Sequence, residues 1–208
     1  MPDNVIQLIG KEWMLVTAGN ENSFNTMTAS WGGMGYIWER PSTFIFIRDT
    51  RYTYQFLQQH ESFTLSFFNE KYRNALRICG TMSGRNTDKV KEAGLTSLET
   101  PLGLMSFEEA RMIIECKKMF VQELDYANLT EPYKSKIMEE AYKNEPSKHQ
   151  MFISEIIFNE ILVNYSFSLV KDQSVFGQFL EFIVFSVYLR PHFLKYHLYI
   201  IVPIIRIY

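Results

Sequence analysis

Three short segments carry the residue types that could do chemistry. In Asn25–Trp31 (NTMTASW) small polar and apolar residues alternate. An extended chain there puts Thr26, Thr28 and Ser30 on one side and Met27 and Ala29 on the other. Such a row of hydroxyls can face a ligand, and it can equally be an ordinary edge strand turning its Thr and Ser to water. In Arg48-Asp49-Thr50-Arg51-Tyr52-Thr53 two arginines flank the point where an apolar run gives way to helical spacing. Forked guanidinium groups and the free amides of a helix start suit an anion. The same residues also fit a solvated turn with Arg48 paired to Asp49. Ser83-Gly84-Arg85-Asn86-Thr87-Asp88-Lys89 offers amides, hydroxyls and two cations around a glycine that permits close backbone approach. It lacks the GxxxxGKS/T and GxGxxG spacings, so neither a nucleotide P-loop nor a Rossmann site is supported.

Other reactive residue types form no constellation. His60, His192 and His197 stand at no metal-ligand spacing with acids or cysteines, and no metal site is expected. His149 follows Lys148 on a loop and reads as a surface residue. Cys79 and Cys116 lie far apart, without CxxC spacing, and read as buried, reduced thiols. No side chain stands out as a catalytic acid, base or nucleophile.

The elements that must position these segments alternate short β-like and helical runs. Trp13–Ala18 is an apolar run closed by Gly19-Asn20. Thr26–Trp38 reads as extended chain interrupted by Gly32, Gly33 and Gly35, which suggest a bulge or a close approach to a ligand. Thr43–Arg48 and Ser62–Phe68 suit strands, with helical spacing over Thr50–His60 between them. Asn69 can cap a helix carrying Tyr72, Leu76 and Cys79 on one face, and Gly80 can end it. A short helix over Thr87–Ala93 stops at Gly94. Ala110–Leu124 alternates as a strand with one buried face and one mostly wet face, carrying Arg111, Ile113, Glu115 and Lys117. A helix over Pro132–Tyr142 and a strand over Met151–Phe158 follow. The pattern predicts a mainly β domain with short helices, of β-barrel or α+β class.

A chain of 208 residues fits one domain plus an appendage. The formal net charge of −2 leaves no basic excess to neutralise phosphates, so nucleic acid is not an expected partner. The start, MPDNVIQLIGKEW, lacks the basic region and apolar stretch of a secretory signal, which points to a reducing, cytoplasmic setting.

The order of the motifs says more than any one of them. NTMTASWGGMGYIWERPSTFIFIRDTRYTYQFL, followed by FTLSFFNEKYRNALRICGTMSGRNTDKVKEAGL, FEEARMIIECKKMF and HQMFISEI, resembles the flavin-reductase-like family of FMN-binding split β-barrels, flavoredoxin-like, from about Gly10 to Ile156. The resemblance implies an FMN cofactor held by Asn25, Thr26, Met27, Thr28, Ala29, Ser30 and Trp31 beside the isoalloxazine. Arg48, Arg51, Tyr52 and Thr53 would hold the ribityl phosphate, and Ser83, Gly84 and Lys89 the closing loop. His149 and Phe152 match a late segment that approaches the flavin, and Trp31 either stacks near it or serves core or interface. It further implies a homodimeric oxidoreductase passing hydride from NAD(P)H to flavin and on to a small-molecule or redox-protein acceptor. The alternative is an electron-transfer protein reduced by a protein donor, and a third reading is an interaction module without cofactor.

The composition shifts near Phe158, dividing the chain into a 1–158 split barrel and a 159–208 tail rich in Ile, Phe and Tyr. Family members finish near Ile156, so the tail reads as the product of a shifted or extended reading frame, with a packed extension as the next reading. A membrane anchor ranks last, because Gln178 and Glu181 interrupt Val175–Leu189 and Arg190-Pro191 ends it. The final strand of the barrel is thereby in question.

Overall fold

The computed structural model describes residues 4–143 and 147–161, all within the unit Met1–Asn164. A helical turn, α1 (Val5–Gln7), is capped by the Asn4 side chain and runs into a π-type turn, Leu8–Glu12, that buries Leu8 and Ile9. Next come β1 (Met14–Asn20), β2 (Ser23–Ala29), β3 (Gly32–Ile37) and β4 (Arg40–Arg48). Helix α2 (Tyr52–Gln59) leads to β5 (Ser62–Phe67), α3 (Arg73–Thr81) and α4 (Lys89–Glu92). The chain continues through β6 (Ser97–Glu99), β7 (Met105–Phe107), β8 (Met112–Glu123), α5 (Tyr133–Ala141) and β9 (His149–Ile161).

Seven antiparallel strands form one sheet in the order β2-β1-β5-β8-β9-β4-β3, and β6 and β7 make a separate hairpin. The sheet curls, so β2 at one edge approaches β4 near the other. This is the mainly β split barrel with short helices that the sequence predicts. Inside the curl, alternate residues of the strands pack as one core: Met14, Val16, Met27, Ile45, Phe63, Ile114 and Phe152, closed by Leu57 of α2. The other face carries a second core of Leu15, Leu76, Cys79, Phe107 and Ile113. Each fully buried Phe, such as Phe63 or Phe107, contributes about 1.5–3 kcal/mol of transfer free energy.

The second core changes the reading of β8. Ile113 and Glu115, expected on a wet face, are both buried. Here β5 meets the β6–β7 hairpin, Thr64 Oγ1 donating to the Met105 carbonyl at 2.6 Å and Ser66 bonding Ser106 at 2.8 Å. Only beyond the hairpin does the face open, at Lys117.

Four further expectations change. The extended run 26–38 breaks after Ala29 into β2 and β3, which lie at opposite edges of the sheet. Gly32 is a close approach to the Phe44 carbonyl across β3 and β4, not to a ligand. Gly80 lies inside α3, where a Cβ would stand 3.3 Å from that of Thr28, so it lets the helix meet β2 rather than ending the helix. The Asn69 side chain makes no cap hydrogen bond.

Strand β9 runs past Phe158 to Ile161 and pairs with β8 and β4 on its two sides, so the last barrel strand is in place. The rest of the predicted tail, including Val175–Leu189, lies outside the described residues. Among the described residues no helix is long and apolar enough to cross a membrane.

Candidate functional site

Edge strand β2 pairs only with β1, so alternate residues turn their amides and carbonyls outward. The Thr26 carbonyl is one of these, and it accepts from the Lys89 ammonium. The same parity turns the backbone of Thr28 outward, while Ser30 lies beyond the end of β2. Two of the three hydroxyls in the row are committed to the fold: Thr26 Oγ1 bonds Thr17 Oγ1 at 2.9 Å, and Thr28 Oγ1 donates to the Leu76 carbonyl; Ser30 is half-buried beyond the strand. Met27 and Ala29 point into the barrel core. What β2 offers a ligand is therefore its backbone edge.

Two cations gather at the end of α3, where unpaired carbonyls and the negative end of the helix dipole favour positive charge. Arg51 donates from Nη2 to the Gly80 carbonyl at 2.8 Å, and Lys89 Nζ lies 3.4 Å from the Cys79 carbonyl. Lys89 is only 4% exposed. Burial pulls its ammonium down to about 8, against a partial offset from Cys79, and Arg51 adds to the lowering. Burial, then the nearby Arg48 charge, also lowers the Arg51 pKa. Among the described residues neither cation meets a carboxylate. A buried ammonium held only by carbonyls is half of an ion pair.

Sequence-distant pieces meet at this point. Asn25 donates from Nδ2 to Thr53 Oγ1 at 2.6 Å, tying β2 to the first turn of α2. Arg51 is the extended N-cap of α2 and makes no side-chain cap bond, so the first-turn amides there have no side-chain cap. Gly84 fits against both partners: a Cβ would lie 2.9 Å from Asn25 Cγ and 3.2 Å from the Tyr52 ring. The Arg85 guanidinium stacks 4.9 Å above that ring. Ser83 spends its hydroxyl within its own turn, accepting from the Arg85 amide at 3.3 Å. Beside Asn25, Thr26, Gly84 and Lys89 opens a cleft of about 730 Å³, within the usual range for ligand sites.

Arg48 leaves this group. From the end of β4 its Nη2 donates to the Ala141 carbonyl at 3.0 Å and Nη1 to Ser147 Oγ at 3.4 Å, while the guanidinium lies 5.5 Å from the Tyr142 ring centre. Phe152 is 1% exposed in the barrel core, its ring edge-on to Tyr54, so it presents no surface. Trp31 is 44% exposed and stacks on His149 at 4.7 Å. His149, expected at the surface, is buried; its Nδ1 stands 2.8 Å from the Tyr142 hydroxyl, and its backbone amide donates to Tyr126 Oη at 2.9 Å. Nothing in the sequence pattern pointed to Tyr126 or Tyr142, which reach His149 only through the β8–β9 connection. The carbonyls of Cys79 and Gly80, in the last turn of α3, carry no signal in the residue types that would mark them as cation acceptors.

Burial, then Arg48, brings His149 down to about 4, against an unfolded value near 6.5. The unfolded chain thus binds more protons between these values, so His149 favours the fold fully above about 6.5 and loses that contribution as pH falls toward 4. In acid-unfolding curves His149→Gln is expected to flatten the stability decline between pH 6.5 and 4; an unchanged slope would rule this out. Both thiols are buried and pushed up by burial, Cys79 to about 11 and Cys116 to about 12, which leaves them unreactive.

The model of the family described as "Flavin reductase like domain" matches residues 7–157. Among solved structures, the chain is similar to the flavoredoxin of Desulfovibrio vulgaris (Miyazaki F), at 24% identity and a TM-score of 0.55, covering 72% of this chain and 69% of that one. It is similar to an FMN-binding protein from Thermus thermophilus with bound p-hydroxybenzaldehyde, at 18% identity and a TM-score of 0.57, covering 73% and 72%. A third is the NADH:FAD oxidoreductase of Streptomyces globisporus C-1027, at 16% identity and a TM-score of 0.55, covering 73% and 75%. No curated protein sequence matches the chain.

Proposed function

The chain belongs to the flavin-reductase-like family, and on that premise we propose that it is an FMN-binding oxidoreductase. The observation that carries the reading is that Lys89 and Arg51 gather at the end of α3 with no ion-pair carboxylate among the described residues, Arg51 being also the N-cap of α2, whose first turn has no side-chain cap. A phosphate there would complete the ion pair and take the first-turn amides of Tyr52 and Thr53, the Tyr54 amide already donating to the Arg51 carbonyl at 3.0 Å. Gly84, Asn25 and Thr53 shape that end, and the outward backbone of Thr26 and Thr28 would provide donors and acceptors for the isoalloxazine edge. Bound flavin supplies the hydride chemistry; the chain binds it, orients it and sets its electrostatics. The proposed set leaves out Arg48 and Phe152, whose side chains are engaged by Ala141 and Ser147 and by the core respectively.

NAD(P)H is the proposed electron donor, supported by the likeness to a protein named as an NADH:FAD oxidoreductase. A homodimer in the cytoplasm completes the proposal. The test is direct: FMN added to purified protein should give a bound-flavin absorbance spectrum with quenched fluorescence, and NADH or NADPH should bleach it without oxygen. Bleaching by a reduced redox protein but not by either nicotinamide would move the assignment to an electron carrier. No flavin signal at saturating FMN would overturn both.

A further inference from the structure

The connection between β8 and β9 builds a second cavity, about 470 Å³, that the flavin reading does not use. Its lining includes Trp31, Tyr126, Tyr142, Leu129 and Ile137. One face of Trp31 is covered by His149, yet the ring remains 44% exposed and lines the cavity. The Tyr126 and Tyr142 rings lie 4.3 Å apart, and Tyr142 meets Trp31 edge-on at 6.5 Å. The two tyrosine hydroxyls are already engaged by His149: Tyr142 Oη bonds His149 Nδ1, and Tyr126 Oη accepts the His149 amide. What remains for an occupant is ring face and aliphatic surface, which favours a flat apolar molecule over a sugar or a nucleotide.

Charge narrows the class further. Among the described residues that line the cavity the charged ones are acidic, Asp125 and Glu140, while the Arg48 guanidinium stands 5.5 Å from the Tyr142 ring and is engaged by the Ala141 carbonyl. Asp125 is held in place by the Ala127 amide at 2.9 Å, while Glu140 is exposed. Both carboxylates are exposed, and together they disfavour an anion at the mouth. We infer that this cavity is a binding site for a flat, uncharged aromatic molecule. Trp31, which lines it, stands two residues beyond the end of β2, and on the flavin reading its ligand is the small-molecule partner of the flavin; this role rests on that reading, whereas the choice of ligand does not.

The test uses the full chain, calorimetric titration at neutral pH, and two probes with the same rings, 2-naphthol and 2-naphthoate. The naphthol is expected to bind and the carboxylate to bind at least about tenfold more weakly. Ile137→Trp, which fills the cavity from α5, should abolish naphthol binding. Glu140→Lys, a surface change that leaves the packing alone, should improve naphthoate about fivefold and leave the naphthol nearly unchanged. FMN titrations on the same proteins separate the two readings. Naphthol binding without FMN binding supports the cavity and sinks the flavin assignment. No naphthol binding, equal binding of both probes, or indifference to Ile137→Trp overturns the cavity inference whatever FMN does.

Discussion

Lys89→Met is expected to weaken FMN binding by about 10–100-fold, the equivalent of one charge-assisted hydrogen bond of about 1.5–3 kcal/mol. Riboflavin, which has no phosphate, should lose less than about threefold, because the removed ammonium faces only the phosphate end. The ratio of the two affinities, from fluorescence quenching, is the readout. Equal losses for FMN and riboflavin would remove Lys89 from any phosphate site. The apoprotein should not suffer, since the ammonium is buried against the Thr26 and Cys79 carbonyls without a counter-ion, and a methionine removes that desolvation cost.

The pH dependence follows from the same residue. The Lys89 pKa falls from 10.5 unfolded to about 8 folded, mainly through burial. The unfolded chain binds more protons between those values, so apoprotein stability gains from Lys89 as pH rises through that window. FMN binding goes the other way: it needs the cation, so affinity is level below about 8 and declines above it by up to about tenfold per pH unit. Lys89→Met should show neither trend.

Gly19→Ala is expected to destabilise the fold by about 3 kcal/mol or more, lowering the melting temperature by roughly 6–12 °C. Gly19 has φ of +118°, a conformation that an L side chain rarely adopts. A Cβ there would also strike the Ser23 carbonyl and approach the Phe24 Cα to 2.5 Å. Both are backbone atoms of the facing strand, so the β1–β2 hairpin must open rather than a side chain rotate. Since β2 carries Asn25 and the Thr26 carbonyl, flavin binding should fall together with stability. Gly33→Ala is the control, because a Cβ at Gly33 meets nothing within 4 Å; its effect should stay within about 0.5 kcal/mol. Thermal unfolding followed by circular dichroism decides, and a Gly19→Ala melt at the parent temperature would refute the argument.

The hairpin joining β3 to β4 shows where sequence signals stop. Its two-residue turn is Trp38-Glu39, with φ of 50° and 58°, instead of the Asn-Gly or Asp-Gly such turns favour. The Trp38 ring rests edge-on near Phe120 of β8, a contact between residues far apart in the chain. No local pattern could announce it. The burial of Glu115 was hidden for the same reason: its own strand alternates correctly, and the cover comes from chain at 97–107.

The sequence by itself determined the period of most of the longer strands and helices, the family, and three segments able to serve a phosphate and a flat ring. Those are properties of neighbours in the chain: alternation sets sides, glycine permits approach, and a helix start frees amides. Only the tertiary structure decided which of those residues share a site. Arg48 and Arg51 stand three positions apart, yet one turns to Ala141 and Tyr142 and the other to Gly80 at the end of α3. Thr26 and Lys89, far apart in sequence, meet through a carbonyl that is free because β2 is an edge strand. Strand order and the packing of α3 on β2 are long-range outcomes of burying two cores, and they determine which side chains are spent on the fold and which backbone edge is left for a ligand.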